Sequence, residues 1–327
     1  MKKQKILVTG GAGFIGGNFV QYMVEKYPQI DIYNLDLLTY AGDLTKHYHI
    51  QKRANYFFVK ADIADRKTIM ALFEQENFDF VVHFAAESHV DRSIYDPSIF
   101  VKTNVMGTQI LLDAAQEFGI RKFVHVSTDE VYGELDFDPT TFFTEASPLQ
   151  PNSPYSASKA ASDLLVRSYH KTYGLPVNIT RCSNNYGPFH FPEKLIPLTI
   201  SRAINEQKIP VYGNGGNVRD WLHVLDHCAA IELVMHEGVN GEIYNVGGHN
   251  EQTNLEVVKT IISQLGKSET LIEFVTDRLG HDRRYAIDPT KLMKLGWRPV
   301  DNFETGIAKT IQWYLDNKAW WEQMISK

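Results

Sequence analysis

The stretch Lys5-Ile6-Leu7-Val8-Thr9-Gly10-Gly11-Ala12-Gly13-Phe14-Ile15-Gly16 decides the fold. A short apolar run enters G-x-x-G-x-x-G, and an apolar pattern of helical period follows over Phe14–Tyr27. Glycines let a backbone turn tightly and approach a pyrophosphate, while the next helix offers free N–H groups and the positive end of its dipole. The strand–turn–helix setting lifts this motif above a chance match, and it makes Gly10, Gly13, Phe14, Ile15 and Gly16 candidates for a dinucleotide site. Asp36 ends the next apolar run, 26 residues after Gly10. A carboxylate there can bind a ribose 2′-hydroxyl and repels a 2′-phosphate, which favours NAD over NADP. Asp62 and Ile63, after the third run, are placed to flank the adenine.

Outward from that turn, apolar runs alternate with helical patterns. The runs are Ile6–Val8, Ile30–Leu35, Tyr56–Val59, Phe80–Phe84, Phe123–Val126 and Val177–Thr180. They lack polar alternation, as strands buried on both faces of a parallel sheet do. Helices are expected over Phe14–Tyr27, Arg66–Gln75, Pro97–Phe118 and Ser156–Tyr173, with Pro97 in a first turn and Gly119 and Gly174 as C-caps. The class is α/β: a Rossmann-type doubly wound parallel sheet. After about residue 185 prolines and the turn cluster Gly213–Asn217 change the texture, with further helices expected at Asp226–His236, Asn254–Leu265 and Phe303–Asn317. The expected division is 1–185, with about 216–249, as the NAD-binding domain, and 186–215 with 250–327 as a smaller α/β substrate domain.

Composition bounds the function. The chain has 327 residues, 43% apolar and 22% charged, with a net charge of −6. That supports a sizeable core and argues against nucleic acid or an anionic membrane as partner. Two cysteines, Cys182 and Cys228, fit a reducing compartment. No apolar run approaches the roughly 20 residues of a membrane helix, and glycines break the first apolar stretch too early for a signal peptide. A cytoplasmic protein is expected. Histidines at His47/His49 and His223/His227 lack a completing cysteine or carboxylate cluster, so no metal is expected. His83 reads as a satisfied core residue, and Trp313, Tyr314, Trp320 and Trp321 as packing rather than a ligand platform.

Tyr155 and Lys159 stand four apart, on one face of a helix. A tyrosine of pKa near 10 is a poor base at pH 7, but an ammonium about 4 Å away is worth roughly 3 pKa units. Such a pair can take a proton from an alcohol while hydride leaves the same carbon.

With these motifs the chain resembles the extended short-chain dehydrogenase/reductase family over nearly its whole length. The resemblance rests on the glycine turn, His83-Phe84-Ala85-Ala86, Val126-Ser127-Thr128, Tyr155–Lys159 and Arg219-Asp220-Trp221-Leu222-His223-Val224-Leu225-Asp226 after a glycine turn. It implies a seven-stranded Rossmann sheet, a small sugar-nucleotide domain, and a homodimer through two long helices per subunit, Pro97–Phe118 and Ser156–Tyr173. It also implies NAD contacts from Leu37, Thr39, Phe84, Ala85, Ala86, Ser88, Thr103, Ser127 and Asn185.

Thr128-Asp129-Glu130 selects the reaction. Epimerases of the family usually carry small or hydroxyl residues at the two acidic positions, and two carboxylates beside a Tyr–Lys pair ask for acid–base chemistry beyond hydride transfer. Neighbours on a regular strand face opposite ways, so the strand is expected to end near Ser127, with Thr128 capping a turn that aims both carboxyls into the cleft. Together with Ala86-Glu87-Ser88-His89-Val90-Asp91, Arg181–Pro188 and Gly280–Tyr285, this resembles the branch of 4,6-dehydratases. That implies dehydration of dTDP-glucose for deoxysugars such as rhamnose. Tyr155 would be the base at C4, Glu130 the base at C5, Asp129 the acid at O6, and Thr128 would hold the C4 oxygen. Asp129 must then be protonated, its pKa raised by burial and by Glu130. Dehydration of UDP-glucose, a 4-epimerase or decarboxylase, and a non-catalytic dinucleotide sensor are the rivals.

A diphosphate needs cations, and Lys194, Arg219, Arg278 and Arg284 are candidates. The resemblance adds Ser88, Asn184, Glu193, Leu195, Pro210, Val211, Tyr212, Asn254, Asp277, His281 and Tyr285 as substrate contacts.

Overall fold

The computed structural model describes residues 3–277 and 281–325. Its centre is a seven-stranded sheet in the order β10-β6-β5-β4-β1-β2-β3. The strands are β1 (Lys5–Thr9), β2 (Asp31–Asp36), β3 (Tyr56–Lys60), β4 (Phe80–His83), β5 (Lys122–Thr128), β6 (Val177–Cys182) and β10 (Ile243–Val246), and every pairing is parallel. Each apolar run of the first half becomes one of these strands, because a strand covered on both faces needs continuous apolar side chains.

Helices cover both faces. On one face α1 (Phe14–Lys26) and α8 (Val224–Glu237) bury Phe19, Met23, Ile231 and Val234 against Ile6, Val82 and Val124. On the other, α2 (Arg66–Glu76), α5 (Thr108–Phe118) and α6 (Pro154–Tyr173) bury Phe73, Leu111 and Val166 against Leu7, Val81 and Phe123. Gly119 and Gly174 take the left-handed conformation as C-caps, φ +70° and +72°. Ser153 and Ser156 form a capping box at the start of α6.

One expected helix is interrupted. Pro97–Phe118 divides into α4 (Pro97–Phe100), a π-helical stretch over Val101–Gly107, and α5. The wide turn carries Asn104, which accepts from the Glu87 amide at 2.8 Å and donates to Glu87 O at 3.0 Å and Ser158 Oγ at 2.8 Å. That tertiary clamp has no local sequence signal. The short α3 (Val90–Tyr95) precedes it.

A second body lies over the carboxyl ends of the strands. It contains a three-stranded sheet, β11 (Glu251–Thr253), β9 (Val218–His223) and β7 (Asn184–Tyr186), and a parallel pair, β8 (Ile209–Tyr212) with β12 (Ile272–Val275). Around these pack α7 (Leu195–Ile204), α9 (Asn254–Gln264), α11 (Phe303–Asp316) and α12 (Lys318–Ile325), whereas α10 (Thr290–Lys294) returns to the central sheet and packs against β10. Their core holds Tyr186, Ile196, Val257, Ile307 and Trp321. The chain crosses from β1 to β2 on one side and β4 on the other, and a crevice opens at such a reversal of strand order.

Candidate active site

A cleft of about 450 Å³ runs along that crevice. Gly10 enters it at φ +71°, where a Cβ would stand 2.6 Å from Ala85 N. A Cβ on Gly16 would stand 2.4 Å from Gly10 O. The turn therefore brings bare backbone to the cleft, as a pyrophosphate requires. Asp36, at the end of β2, accepts from the amides of Ala12 at 2.9 Å and Leu38 at 2.7 Å, and burial raises its pKa against those bonds. All the residues expected to hold NAD line this one cleft: Gly10, Gly13, Phe14, Ile15, Gly16, Asp36, Leu37, Thr39, Asp62, Ile63, Phe84, Ala85, Ala86, Ser88, Thr103, Ser127, Tyr155, Lys159 and Asn185. Among the described residues, Ser127 Oγ, Ser183 Oγ, Asn184 Oδ1 and Asp129 Oδ2 are buried on this lining and make no hydrogen bond within the chain. Polar atoms so placed suit a polar ligand, so the residues fit a dinucleotide and a sugar.

The acid–base residues stand at the end of β5. The strand runs to Thr128, one residue beyond expectation, and Asp129–Tyr132 forms a 3₁₀ turn. Thr128 Oγ1 accepts from the Glu130 amide at 3.3 Å and lies 3.3 Å from Asp129 Oδ1. The tight turn puts two consecutive carboxyls on one cleft, which a strand could not do. Asp129 is 2% exposed. Burial first, then Glu130 and Asp220, hold its carboxyl well above the usual range, against the pull of Arg219.

Tyr155 and Lys159 reach the same cleft from the first turns of α6. Lys159 is buried, donates to Val126 O at 2.9 Å, and burial lowers its pKa to about 8, against the charge of Asp163. Tyr155 differs from the expectation of a phenol lowered by its lysine. Burial, Glu130, Cys182 and Asp129 push it well above 10, and the Thr128 hydroxyl pulls it back. Desolvation and the neighbouring acidic groups disfavour the phenolate in the protein alone, so lowering the phenol falls to positive charge brought by a ligand.

On the substrate side, Asn184, Glu193, Lys194, Leu195, Arg219 and Tyr285 line the cleft with Ser88 and Thr128. Arg219 donates to Val218 O at 2.8 Å and Asp282 O at 2.9 Å and lies over the Tyr285 ring at 4.2 Å. Pro210, Val211, Tyr212, Asn254, Asp277 and His281 do not line the cleft; Tyr212 faces His281 at 6.2 Å, and His281 pairs with Asp277 at 2.6 Å. Arg278 lies outside the described residues. Arg284 stands away from the cleft. It is buried, pairs with Glu251 at 2.8 Å and donates to the carbonyls of Asp138 and Thr141, each at 2.9 Å, so it ties a loop to β11.

The histidines have structural partners. His83 meets Thr9 Oγ1 at 2.7 Å and Thr108 Oγ1 at 2.9 Å, and His227 Nδ1 meets Asn185 Oδ1 at 2.9 Å. Among the described residues no group of three potential ligands could hold a metal ion.

The cleft also takes Tyr40, Asp43, Lys46, Glu87, His190, Phe191, Trp320 and Met324, which the sequence reading did not place there. Trp321 and Tyr314 are core residues, but Trp320 turns to the cleft and donates to Asp43 at 3.0 Å. Nothing local distinguishes the two tryptophans, because the partner is 277 positions away.

The family model described as GDP-mannose 4,6 dehydratase matches residues 7–310. The dTDP-glucose 4,6-dehydratase of Xanthomonas campestris pv. campestris (strain B100) is 54% identical, over 96% of this chain and 94% of that protein. The Escherichia coli dTDP-glucose 4,6-dehydratase is 50% identical, over 98% and 96%. DesIV of Streptomyces venezuelae, a dTDP-glucose 4,6-dehydratase crystallised with NAD and TYD bound, superposes with a TM-score of 0.94 at 48% identity, covering 98% of this chain and 100% of that one. With that identity across almost its full length, and with the glycine turn, the Tyr–Lys pair and the paired carboxyls around one cleft, the chain belongs to the dTDP-glucose 4,6-dehydratases of the extended short-chain dehydrogenase/reductase family.

Proposed function

We propose that the chain is an NAD-dependent hydro-lyase that converts dTDP-glucose to dTDP-4-keto-6-deoxyglucose. The observation that carries this reading is the turn at Asp129, which sets two carboxyls in the same cleft as Tyr155, Lys159 and the glycine turn.

C5–H of a hexose is not acidic and its C6 hydroxyl leaves poorly, so a ketone at C4 must come first. The glycine turn and Asp36 would hold NAD, which would supply the hydride acceptor for C4 and the hydride donor for C6. Tyr155 removes the C4 hydroxyl proton, supported by the Lys159 ammonium, and Thr128 holds the C4 oxygen. Glu130 then takes the C5 proton, now next to a carbonyl. Asp129, kept protonated by burial and by Glu130, gives its proton to the departing C6 oxygen, and water leaves. Proton return to C5 completes the product with no net redox change. Arg219 and Lys194 serve the diphosphate. Residues 1–185 and about 216–249 carry the cofactor, and 186–215 with 250–327 the sugar nucleotide.

The same proposal places the protein in the cytoplasm, supplying deoxysugar synthesis of the rhamnose type, as a homodimer. Its dimer face is the helix pair α5–α6 with the π-helical stretch, where Val101, Met106 and Leu164 are exposed. Among the described residues no helix is long and apolar enough to cross a membrane.

Turnover of dTDP-glucose against UDP-glucose, with no reductant added, tests the reading. A 4-keto product, which absorbs near-ultraviolet light in alkali, is expected from the thymidine substrate; no such product, or epimerised glucose, overturns it.

A further inference from the structure

The proposed reaction takes a hydride from C4 and returns it to C6 of the same sugar within one turnover. The dinucleotide therefore needs no exchange between turnovers, and its loss midway would strand a keto sugar. Three contacts that take no part in the chemistry cross the cleft beside the glycine turn. Trp320 on α12 donates its indole N–H to Asp43 Oδ2 at 3.0 Å. The His190 ring lies flat on Phe14, the first residue of α1, with centroids 4.1 Å apart and planes at 10°. Phe191 meets Tyr40 edge-on at 5.8 Å. All six side chains line the cleft.

Both ends of these contacts are anchored. On the inner side, the Asp43 amide donates to Ala12 O at 2.9 Å and Lys46 Nζ to Gly13 O at 2.7 Å, so this loop is fixed to the glycine turn itself. On the outer side, Tyr314 donates to His190 O at 2.5 Å. Phe189 is held at φ +66°, a conformation bulky residues seldom adopt, with its ring against Trp313 at 4.6 Å and Trp320 at 5.4 Å. The C-terminal helix and a strained loop are thus joined across the cleft to the backbone that receives the pyrophosphate.

We infer that the Trp320–Asp43 hydrogen bond, with the His190–Phe14 stack, is a clasp that keeps NAD in its cleft from one turnover to the next, and that Trp320 is a positioning residue for the cofactor. This rests on the NAD-dependent reading above.

The test is the rate at which purified holoenzyme loses NAD, followed by exchange against labelled NAD, and the NAD left per subunit after gel filtration. Trp320→Phe keeps a ring against Phe189 and removes the donor; Asp43→Asn weakens the acceptor. A hydrogen bond to a charged group predicts release roughly tenfold faster in Trp320→Phe. Because one bond joins the two residues, the double variant releases NAD no faster than Trp320→Phe. Unchanged release, or effects that simply add, overturns the clasp. A merely structural role lowers the melting temperature of apo and holo forms equally and leaves the release rate alone, which also overturns it. Should Trp320→Phe fail to fold, Asp43→Asn reads the same bond from its other side. A parent protein that binds no NAD overturns the NAD reading as well, whereas NAD bound tightly by every variant overturns the clasp alone.

Discussion

The Glu130 amide donates to Thr128 Oγ1 across 3.3 Å, and this bond turns the end of β5 into a 3₁₀ turn. Two adjacent carboxyls thereby meet one cleft in unlike surroundings. Asp129 is buried and carries a raised pKa, while Glu130 lies beside it, partly exposed. Carboxyls in such unlike surroundings can divide the work of an acid and a base.

Asp129→Asn keeps C4 oxidation and slows water loss by roughly 10²–10⁴-fold, the usual worth of general acid catalysis. Bound cofactor should then accumulate in its reduced form, visible as near-ultraviolet absorbance when substrate is mixed with enzyme. Elimination at the parent rate contradicts the role.

The same substitution has a pH signature in stability. Below about pH 4 the Asp129 carboxyl is protonated both folded and unfolded; above it the unfolded chain ionises while the folded one keeps its proton. The folded chain then binds more protons, so the contribution of Asp129 to stability falls as pH rises, until the buried group itself ionises. Asp129→Asn should raise the melting temperature of the apoprotein at pH 7, with the difference shrinking toward pH 4.

Glu130→Gln blocks exchange of the C5 hydrogen with solvent, by roughly 10²-fold or more. Mass spectrometry of product formed in deuterated water measures it, and undiminished incorporation refutes the assignment. Because Glu130 also pushes the Tyr155 phenol upward, the variant should move the pH dependence of C4 oxidation to lower pH.

Lys159→Met abolishes C4 oxidation but stabilises the fold. Burial lowers this lysine from 10.5 to about 8, so at pH 7 a charge is held where it is disfavoured, at a cost of up to about 3 kcal/mol. Between pH 8 and 10.5 the unfolded chain binds the extra proton, and the contribution of Lys159 to stability rises with pH. Denaturant unfolding should show the variant's advantage largest at neutral pH and fading toward pH 10.

Arg219→Met and Arg284→Met separate the two arginines. The first should raise KM for the sugar nucleotide, since Arg219 lines the cleft. The second should cost about 1–3 kcal/mol of stability by leaving Glu251 and the carbonyls of Asp138 and Thr141 without their donor, with KM near that of the parent. Steady-state kinetics beside denaturant unfolding decides.

The sheet was legible because its code is local. Continuous apolar runs such as Val81–Val82 and Phe123–Val126, spaced by helical patterns, suit only a covered parallel sheet, and Gly10–Gly16 names its ligand-binding turn. Thr128, Asp129 and Glu130 could be read because a hydroxyl before two acids caps a turn in a way that depends on neighbours in sequence. What depends on distant partners could not be read. The π-helical stretch forms because Asn104 reaches Glu87 and Ser158. Arg284, a diphosphate candidate by residue type, is buried against Glu251 and off the cleft lining, and Trp320 turns from the core to Asp43. The Tyr155 phenol rises because burial and the carboxyls of another element surround it. Type and spacing of residues thus set the sheet, the cofactor turn and the acid pair by themselves. Which cation faces the cleft, which tryptophan closes it and how the phenol titrates were decided only in three dimensions, because burial and long-range electrostatics exist only once distant segments have packed.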